Sequence, residues 1–100
     1  MREAINDVLD WGHSVGILSL GTIEKQADKV VEEAEEAKKA IEKGDIYYIE
    51  QELGDVLVST ILQIRMCGLS FERCIENALN KNKNRPEGKM LDGEYVREKK

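Results

Sequence analysis

Two pairs of carboxylates have a spacing that could do chemistry. Glu33 and Glu36 lie three residues apart, and so do Glu52 and Asp55. On an α-helix, residues three apart share a side, so each pair would project in one direction. If the two pairs converged, their oxygens would form a cluster of hard ligands suited to Mg²⁺ or Mn²⁺.

The elements that must position these pairs are two helices adjacent in the chain. The first is predicted from the N-cap Thr22 to about Lys43, and the second from the N-cap Asp45 to about Cys67. A glycine follows each, as is typical just beyond a helix end. The tight turn between them would make the helices antiparallel neighbours and bring the two carboxylate pairs face to face.

Hydrophobic periodicity indicates which sides of these helices are buried. The first helix carries an apolar stripe, with Glu33 and Glu36 along its edge; the stripe consists of Ile23, Ala27, Val30, Ala34, Ala37 and Ile41. The second helix becomes apolar nearly all round from Val56 onward, which predicts a central, buried helix. Glu52 and Asp55 precede this buried stretch, where charged groups need a partner or a metal.

The rest of the chain predicts two more helices and a short tail. One helix runs from about Arg2 to Ser14 and is followed by a glycine-rich loop, and another runs from the cap Ser70 to about Asn84. The tail, residues 86–100, contains an Asp-Gly turn signal that fits either a small hairpin or an ordered loop. We therefore expect an all-α, four-helix bundle-type single domain over residues 1–100, assembled as an oligomer.

Composition limits the function classes. With 20 acidic and 15 basic residues among 100, the net charge is -5, which argues against a nucleic-acid binder. No apolar segment is long enough for a membrane span, and the N-terminus lacks the pattern of a signal peptide. Cys67 and Cys74 lack a metal-binding spacing, so we expect reduced, buried cysteines in a cytoplasmic protein.

Acidic residues are common in this chain, so the carboxylate pattern has an alternative explanation. A solvated helix face, with glutamates paired to nearby lysines, accounts for Glu33, Glu36, Glu52 and Asp55 about as well as a metal site does. A di-iron centre is disfavoured because such bundles use Glu-x-x-His elements, and the single histidine, His13, is not in one.

The motifs resemble those of a known family. Glu32-Glu33-x-x-Glu36 and Glu52-x-x-Asp55 are similar to the EExxE and ExxD motifs of MazG-like nucleotide pyrophosphohydrolases, in the all-α NTP pyrophosphatase superfamily. The segment 80–90 is similar to the Asn/Lys/Arg-rich phosphate-binding segment of short, often phage- or prophage-encoded members. Asn84 stands where that segment usually has an acidic residue. The resemblance extends from about Trp11 to Val96.

The resemblance implies Mg²⁺-dependent (or Mn²⁺-dependent) hydrolysis of a nucleoside triphosphate to the monophosphate and pyrophosphate. The metal ligands would be Glu33, Glu36, Glu52 and Asp55. Glu32, or a ligand such as Glu33 in a double role, would orient or deprotonate the attacking water.

The resemblance also implies a set of substrate-binding residues. Lys83 and Arg85 would neutralise the outer phosphates, and Asn80 and Lys29 would donate to phosphate oxygens. Gln26 would contact sugar or base, and Trp11 would stack on the base. The expected partners are the triphosphate and further copies of the chain, as a homodimer or homotetramer.

Two alternatives remain open from the sequence. A non-catalytic helical module, for oligomerisation, nucleotide sensing or protein binding, would look much the same. The basic residues near 83 could simply complement a helix C-terminus, and Trp11 could be a half-buried core residue.

Overall fold

The computed structural model describes residues 1–84 and 88–96, and these residues form helices with one small hairpin. In chain order the elements are α1 (Arg2–Ser14), α2 (Ile17–Leu20), α3 (Ile23–Lys43), α4 (Ile46–Met66), α5 (Phe71–Lys83), β1 (Lys89–Leu91) and β2 (Glu94–Val96). The predicted all-α class is confirmed. The one-turn helix α2, within the predicted glycine-rich loop, is the helix that the sequence did not reveal.

The helix ends follow the capping residues. The side chains of Thr22, Asp45 and Ser70 each accept a hydrogen bond from a backbone N–H in the first turn of the helix that follows, at 3.2, 3.0 and 3.3 Å respectively. Gly44 ends α3 with φ at 77°, a left-handed conformation that favours glycine. These local interactions explain why the boundaries could be predicted.

The core lies where α1 and α2 cover one side of α4 while α3 packs along another. The buried residues are few and are Ile5, Ala37, Ala40, Ser59, Ile61 and Leu62, with Gly12 of α1 also buried. A Cβ on Gly12 would lie 2.5 Å from Cδ2 of Leu62, so any side chain there would force the buried Leu62 or α1 itself to shift.

The side of α3 that faces α4 differs from the predicted apolar stripe. The residues buried or half-buried along α3 are Gln26, Val30, Glu33, Ala37 and Ala40. Ile23, Val31 and Ile41 are about half exposed instead. At 100° per residue, the inward direction is thus turned by roughly 60°, about a sixth of a turn, from the stripe. The rotation places a glutamine and a glutamate against α4 and leaves apolar side chains uncovered.

The predicted burial of α4 from Val56 onward holds for most of that stretch, because all residues from Val56 to Met66 except Leu57 and Arg65 are buried or half-buried. The first half of the helix is more exposed. Ser59, Ile61 and Leu62 are buried, but Ile46, Leu53 and Leu57 are 76%, 45% and 58% exposed. The reason is that α1 and α2 cover only one part of α4. Along one side of its first half, α4 packs against no other element of the described residues, and the apolar side chains there stay exposed.

Helix α5 leaves the bundle. Its axis turns by 104° from that of α4, and α4 is its packing partner within the described part of the chain. Phe71 and Cys74 near its start are half-buried, whereas Ile75 and Leu79 further along are 51% and 49% exposed. The helix therefore contacts its own chain at the N-terminal end and projects away from there.

The tail forms a hairpin, which is one of the two structures that the sequence predicted for it. β1 and β2 are antiparallel with Met90 opposite Tyr95, and Asp92 and Gly93 form the turn with φ of 50° and 86°. Two consecutive positive φ angles fit the tight turn that suits the twist of a hairpin. The side chains of Met90 on β1 and Tyr95 on β2 are exposed.

The cysteines are both free, but the expected burial of Cys67 is wrong. Cys67 follows the last residue of α4 and is exposed there, with its Sγ accepting a hydrogen bond from Nε2 of Gln63 at 3.3 Å. Cys74 is half-buried.

Over residues 1–84 and 88–96, no single helix is both long enough and apolar enough to cross a membrane. The pair α4 and α5 meets that test together only as two segments sharply bent at a break, by length and composition alone.

Candidate metal centre

Three carboxylates meet where α3 and α4 face each other. Glu33 of α3 and Glu52 and Asp55 of α4 each offer an oxygen, and these oxygens all lie within 4.8 Å of one another. Glu33 and Glu52 are half-buried, whereas Asp55 is exposed. The cluster is therefore open to solvent on one side, where a substrate could approach.

The packing of α3 explains this convergence. The rotation of α3 by roughly 60° brings Glu33 inward, so that its side chain is only 14% exposed. Glu52 and Asp55 are three residues apart on α4 and project together. The predicted juxtaposition of carboxylates from two helices is present in the fold.

The electrostatics of the cluster favour a cation. The pKa of Glu52 is raised, chiefly because partial burial removes water from its charged form, and further by the negative charges of Asp55, Glu33 and Glu36. A divalent cation would relieve this repulsion. Because every donor is a carboxylate oxygen, the residues fit a hard cation such as Mg²⁺ or Mn²⁺.

Glu36 lies at the edge of this cluster. The negative charge of Glu36 contributes to the raised pKa of Glu52. Glu36 is not part of the group of three whose oxygens all lie within 4.8 Å of one another. Its Oε1 is 3.7 Å from Nζ of Lys39, and its side chain is 50% exposed. Of the four predicted metal ligands, the fold thus brings three together and leaves the fourth at the rim.

Lys29 links the two candidate catalytic glutamates. Its Nζ is 3.4 Å from Oε1 of Glu32 and 3.5 Å from Oε1 of Glu33. The pKa of Lys29 is raised, first by its hydrogen bond to Glu32 and then by the charge of Glu32 and the pairing with Glu33. Lys29 therefore stays protonated beside the cluster, while Glu32 is 62% exposed and is not one of the three clustered carboxylates.

A cavity of about 300 Å³ adjoins the carboxylates. Glu33 and Asp55 form part of its wall, and the remaining wall is mostly apolar; the other lining residues are Trp11, Ile17, Gln26, Lys29, Val58, Ser59 and Leu62. A pocket of this kind, apolar with a few polar groups, is typical of small-molecule sites. Three predicted substrate-binding residues, Trp11, Gln26 and Lys29, thus line one cavity beside the cluster.

Gln26 has a fixed orientation in this wall. Its Nε2 donates a hydrogen bond to the backbone oxygen of Ser59 at 3.0 Å, which joins α3 to α4. Ser59 is itself buried, and its Oγ donates to the backbone oxygen of Val56 at 3.0 Å. With Nε2 engaged, the Oε1 of Gln26 is an acceptor that a ligand could use.

Ile17 and Leu62 are lining residues that sequence reasoning missed. Ile17 belongs to α2, and a four-residue helix is too short to show periodicity. Leu62 was one apolar residue among many on α4. One feature of the sequence near this part of the wall is Gly12, whose lack of a side chain lets α1 approach Leu62.

Two of the predicted phosphate-binding residues lie on α5. Asn80 and Lys83 are exposed residues of α5 and are not part of the cavity wall within the described residues. Arg85 lies outside the described residues.

A comparison with protein-family models finds a match over the helices that hold these carboxylates. The model described as the MazG nucleotide pyrophosphohydrolase domain matches residues 22–88, which include α3, α4, α5 and all the cluster carboxylates. No curated protein and no solved structure gives a significant match to the chain. Because the family model covers about two thirds of the chain, the protein belongs to the MazG nucleotide pyrophosphohydrolase family.

Proposed function

We propose that this protein hydrolyses a nucleoside or deoxynucleoside triphosphate to the monophosphate and pyrophosphate, with Mg²⁺ as cofactor and Mn²⁺ as a substitute. The observation that carries the proposal is the position of the cluster Glu33, Glu52 and Asp55 at the wall of a cavity that also holds Trp11 and Gln26. A metal site beside an apolar pocket suits a ligand with a phosphate end and a base end.

In the reaction, water attacks the α-phosphorus. A new bond forms from the water oxygen to phosphorus, the bond to the bridging oxygen breaks, and pyrophosphate departs with those electrons while a proton is released. A bound Mg²⁺ would supply Lewis acidity and a lower pKa for the attacking water. Glu33, Glu52 and Asp55 would hold it, with Glu36 completing the set from the rim.

The remaining residues orient the reactants. Glu32 or Glu33 would orient and deprotonate the water, and Glu33 is the better placed because it is inside the cluster. Lys29, held protonated beside both glutamates, would donate to a phosphate oxygen. Trp11 would stack on the base, and Oε1 of Gln26 would accept a hydrogen bond from the base or sugar.

The apolar side chains left exposed in the single chain support assembly as a homodimer or homotetramer. Two free thiols suit a reducing compartment, so we place the protein in the cytoplasm.

The test is an assay of turnover with a panel of ribo- and deoxyribonucleoside triphosphates in Mg²⁺, measuring monophosphate and pyrophosphate together. Glu33→Gln and Asp55→Asn should reduce kcat/KM by at least the ~10–100-fold that loss of even an outer-shell partner of a metal ligand costs. The exposed Glu35→Gln and Glu50→Gln are matched controls and should retain wild-type rates.

The outcome against the proposal is equally clear. If no triphosphate is turned over with Mg²⁺ or Mn²⁺, the protein is a non-catalytic module of the same fold. Products other than monophosphate and pyrophosphate, such as diphosphate and phosphate, would rule out attack at the α-phosphorus.

A further inference from the structure

We infer that the chain carries a second ligand site, which binds a small organic anion made of an apolar body and one carboxylate or phosphate group. The site is a groove between α1, the C-terminal half of α4 and the start of α5. It is separate from the metal centre. Arg65, which lines the groove, follows Asp55 by ten residues on α4, and this corresponds to roughly 15 Å along the helix axis.

The groove has the size and shape of a small-molecule site. Its volume is about 480 Å³, and small-molecule pockets span roughly 300–1,000 Å³. α1 lines it with Arg2 and Asn6, and α4 lines it with Ile61 and Arg65. The two residues of each pair are four apart, so each helix presents one side to the groove.

Apolar side chains form much of the wall. Ile5 of α1 and Ile61 of α4 are buried, and Leu9, Ile64 and Phe71 beside them in the groove are half-buried. An apolar ligand body placed against these side chains would displace water from both surfaces, which favours binding. The wall therefore suits the apolar part of a ligand.

Two arginines from different helices give the groove its charge. Arg2 and Arg65 form no ion pair within residues 1–84 and 88–96, although the chain has 20 acidic residues and a net charge of -5. A guanidinium group binds a carboxylate or a phosphate through paired hydrogen bonds. Both arginines are therefore available to the anionic end of a ligand.

The acidic residue Glu72 also lines the groove. Its Oε1 accepts a hydrogen bond from Oγ of Ser70 at 3.3 Å, so part of this carboxylate is already engaged. With two arginines against one glutamate, the lining is positive. The cavity beside the metal centre has the opposite balance, because Glu33 and Asp55 face the single Lys29 there. Charge complementarity thus assigns the anion to this groove.

The occupant we assign is a soluble small molecule. Segments that bind anionic membranes through charge contain about 4–8 lysines or arginines, whereas the groove has two in an acidic chain. A concave site built from three helices also encloses a compact body better than a flat membrane surface.

The experiment titrates the full chain, in EDTA, with two probes that share one apolar body, 1-naphthyl phosphate and 1-naphthoate. At least one should bind with one molecule per chain, and the tighter probe identifies the acid group. Arg2→Gln and Arg65→Gln should each weaken binding about tenfold or more, because each removes charged donors from the anion. Arg73→Gln removes the same charge from an exposed position of α5 outside the groove wall and should bind as wild type.

Both arginines are exposed, so their substitution should leave the melting temperature nearly unchanged and any loss of binding can be attributed to the site. The absence of saturable binding of both probes, or equal binding by wild type and the two arginine variants, would overturn the inference.

Two further ligands test the need for both ends of the molecule. Inorganic phosphate lacks the apolar body and should bind about tenfold more weakly than the tighter naphthyl probe. 1-Naphthylmethylamine keeps the body but carries a positive charge, and it should not saturate the site. Binding of this amine as tight as that of the anions would show an apolar surface without anion recognition.

The place of binding is tested with Glu52→Gln, which changes the metal centre and should leave the affinity for the probes unchanged. Loss of probe binding in Glu52→Gln would place the probe at the metal centre and overturn the inference. Binding to vesicles of phosphatidylcholine and phosphatidate, without binding of either soluble probe, would assign the groove to a membrane surface and overturn it as well.

Discussion

At the scale of single residues, the centre depends on keeping acidic side chains close together. Glu33, Glu52 and Asp55 repel one another across the interface of two helices, and Glu52 is partly shielded from water as well. In the absence of a cation this arrangement opposes folding. A cation bound there, as proposed, would therefore stabilise the folded chain.

The raised pKa of Glu52 predicts a pH dependence. Below the ordinary value of 4.5 the carboxyl is protonated in the folded and the unfolded chain, and it contributes no cost. As the pH rises from 4.5 through the raised pKa of the folded chain, the unfolded chain loses this proton before the folded chain does, so the free energy of unfolding falls. In metal-free protein, Glu52→Gln should therefore raise the melting temperature at pH 7 and leave it unchanged well below pH 4.5.

The same variant should lose its response to Mg²⁺. Wild-type protein should gain thermal stability on adding Mg²⁺ at pH 7, and less of it as the pH is lowered and protons compete for Glu52. Glu50→Gln is the control and should keep the full response. Equal stabilisation of wild type and Glu52→Gln by Mg²⁺ would show that the ion binds elsewhere.

Trp11 can be tested for base stacking against a purely structural role. It lines the cavity and is 49% exposed, so a ligand can reach its ring. Stacking on a base is worth about 1–3 kcal/mol, so Trp11→Ala should raise KM by roughly 5–160-fold. Trp11→Phe keeps an aromatic face and should recover most of that loss. A lowered melting temperature with unchanged KM would assign Trp11 to packing instead.

At the scale of the elements, the turn between α3 and α4 sets the register of the two carboxylate pairs. Gly44 takes a left-handed conformation, and Asp45 caps the next helix through its side chain. Together they reverse the chain within two residues. The packing of Gln26 on the backbone of Ser59, further along both helices, then fixes the rotation of α3.

Two glycine substitutions with opposite expected signs test this account of the turn. Gly44→Ala forces a Cβ into a left-handed conformation and should lower the free energy of unfolding by about 1–2 kcal/mol. Gly54→Ala lies in the interior of α4, where the new Cβ would meet nothing within 4 Å beyond the adjoining backbone of its own helix, and should raise it by about 0.5–1 kcal/mol. Denaturant unfolding of both variants measures this. A loss of stability in Gly54→Ala would indicate that another chain approaches α4 there.

At the scale of the whole molecule, the single chain is incompletely packed. Its radius of gyration of 15.8 Å exceeds the roughly 13 Å of a compact domain of 100 residues. Its buried core is small, and α3, α4 and α5 all expose apolar side chains. The hairpin contacts no other element within the described residues, and a two-stranded hairpin is at best marginally stable by itself.

If assembly supplies the missing packing, stability should depend on protein concentration. The melting temperature of the wild type should rise as the concentration is increased a hundredfold. Leu57→Lys places a charge on the exposed surface of α4 and should abolish that rise. In a monomer the same surface substitution would change stability by only about 0.5 kcal/mol or less. A melting temperature that is independent of concentration would contradict assembly.

The sequence by itself determined the features that depend on local energies. Thr22, Asp45 and Ser70 fixed helix starts through side-chain caps, and Asp92 with Gly93 indicated a turn, which the structure shows to be that of a hairpin. The three-residue spacing within each carboxylate pair fixed which acidic residues could project together. Each of these involves groups only a few residues apart, so the sequence pattern contains the interaction.

Only the tertiary structure decided how those elements meet. The periodicity of α3 pointed to Ile23 and Ile41 as its inward side, but the packing turned Gln26 and Glu33 inward, because close contact with α4 is made through small residues such as Ala37 and Ala40. The direction of α5 and the role of Ile17 in the cavity likewise depend on contacts between distant segments. Local propensity does not determine which of several amphipathic sides is buried; the sum of long-range contacts does.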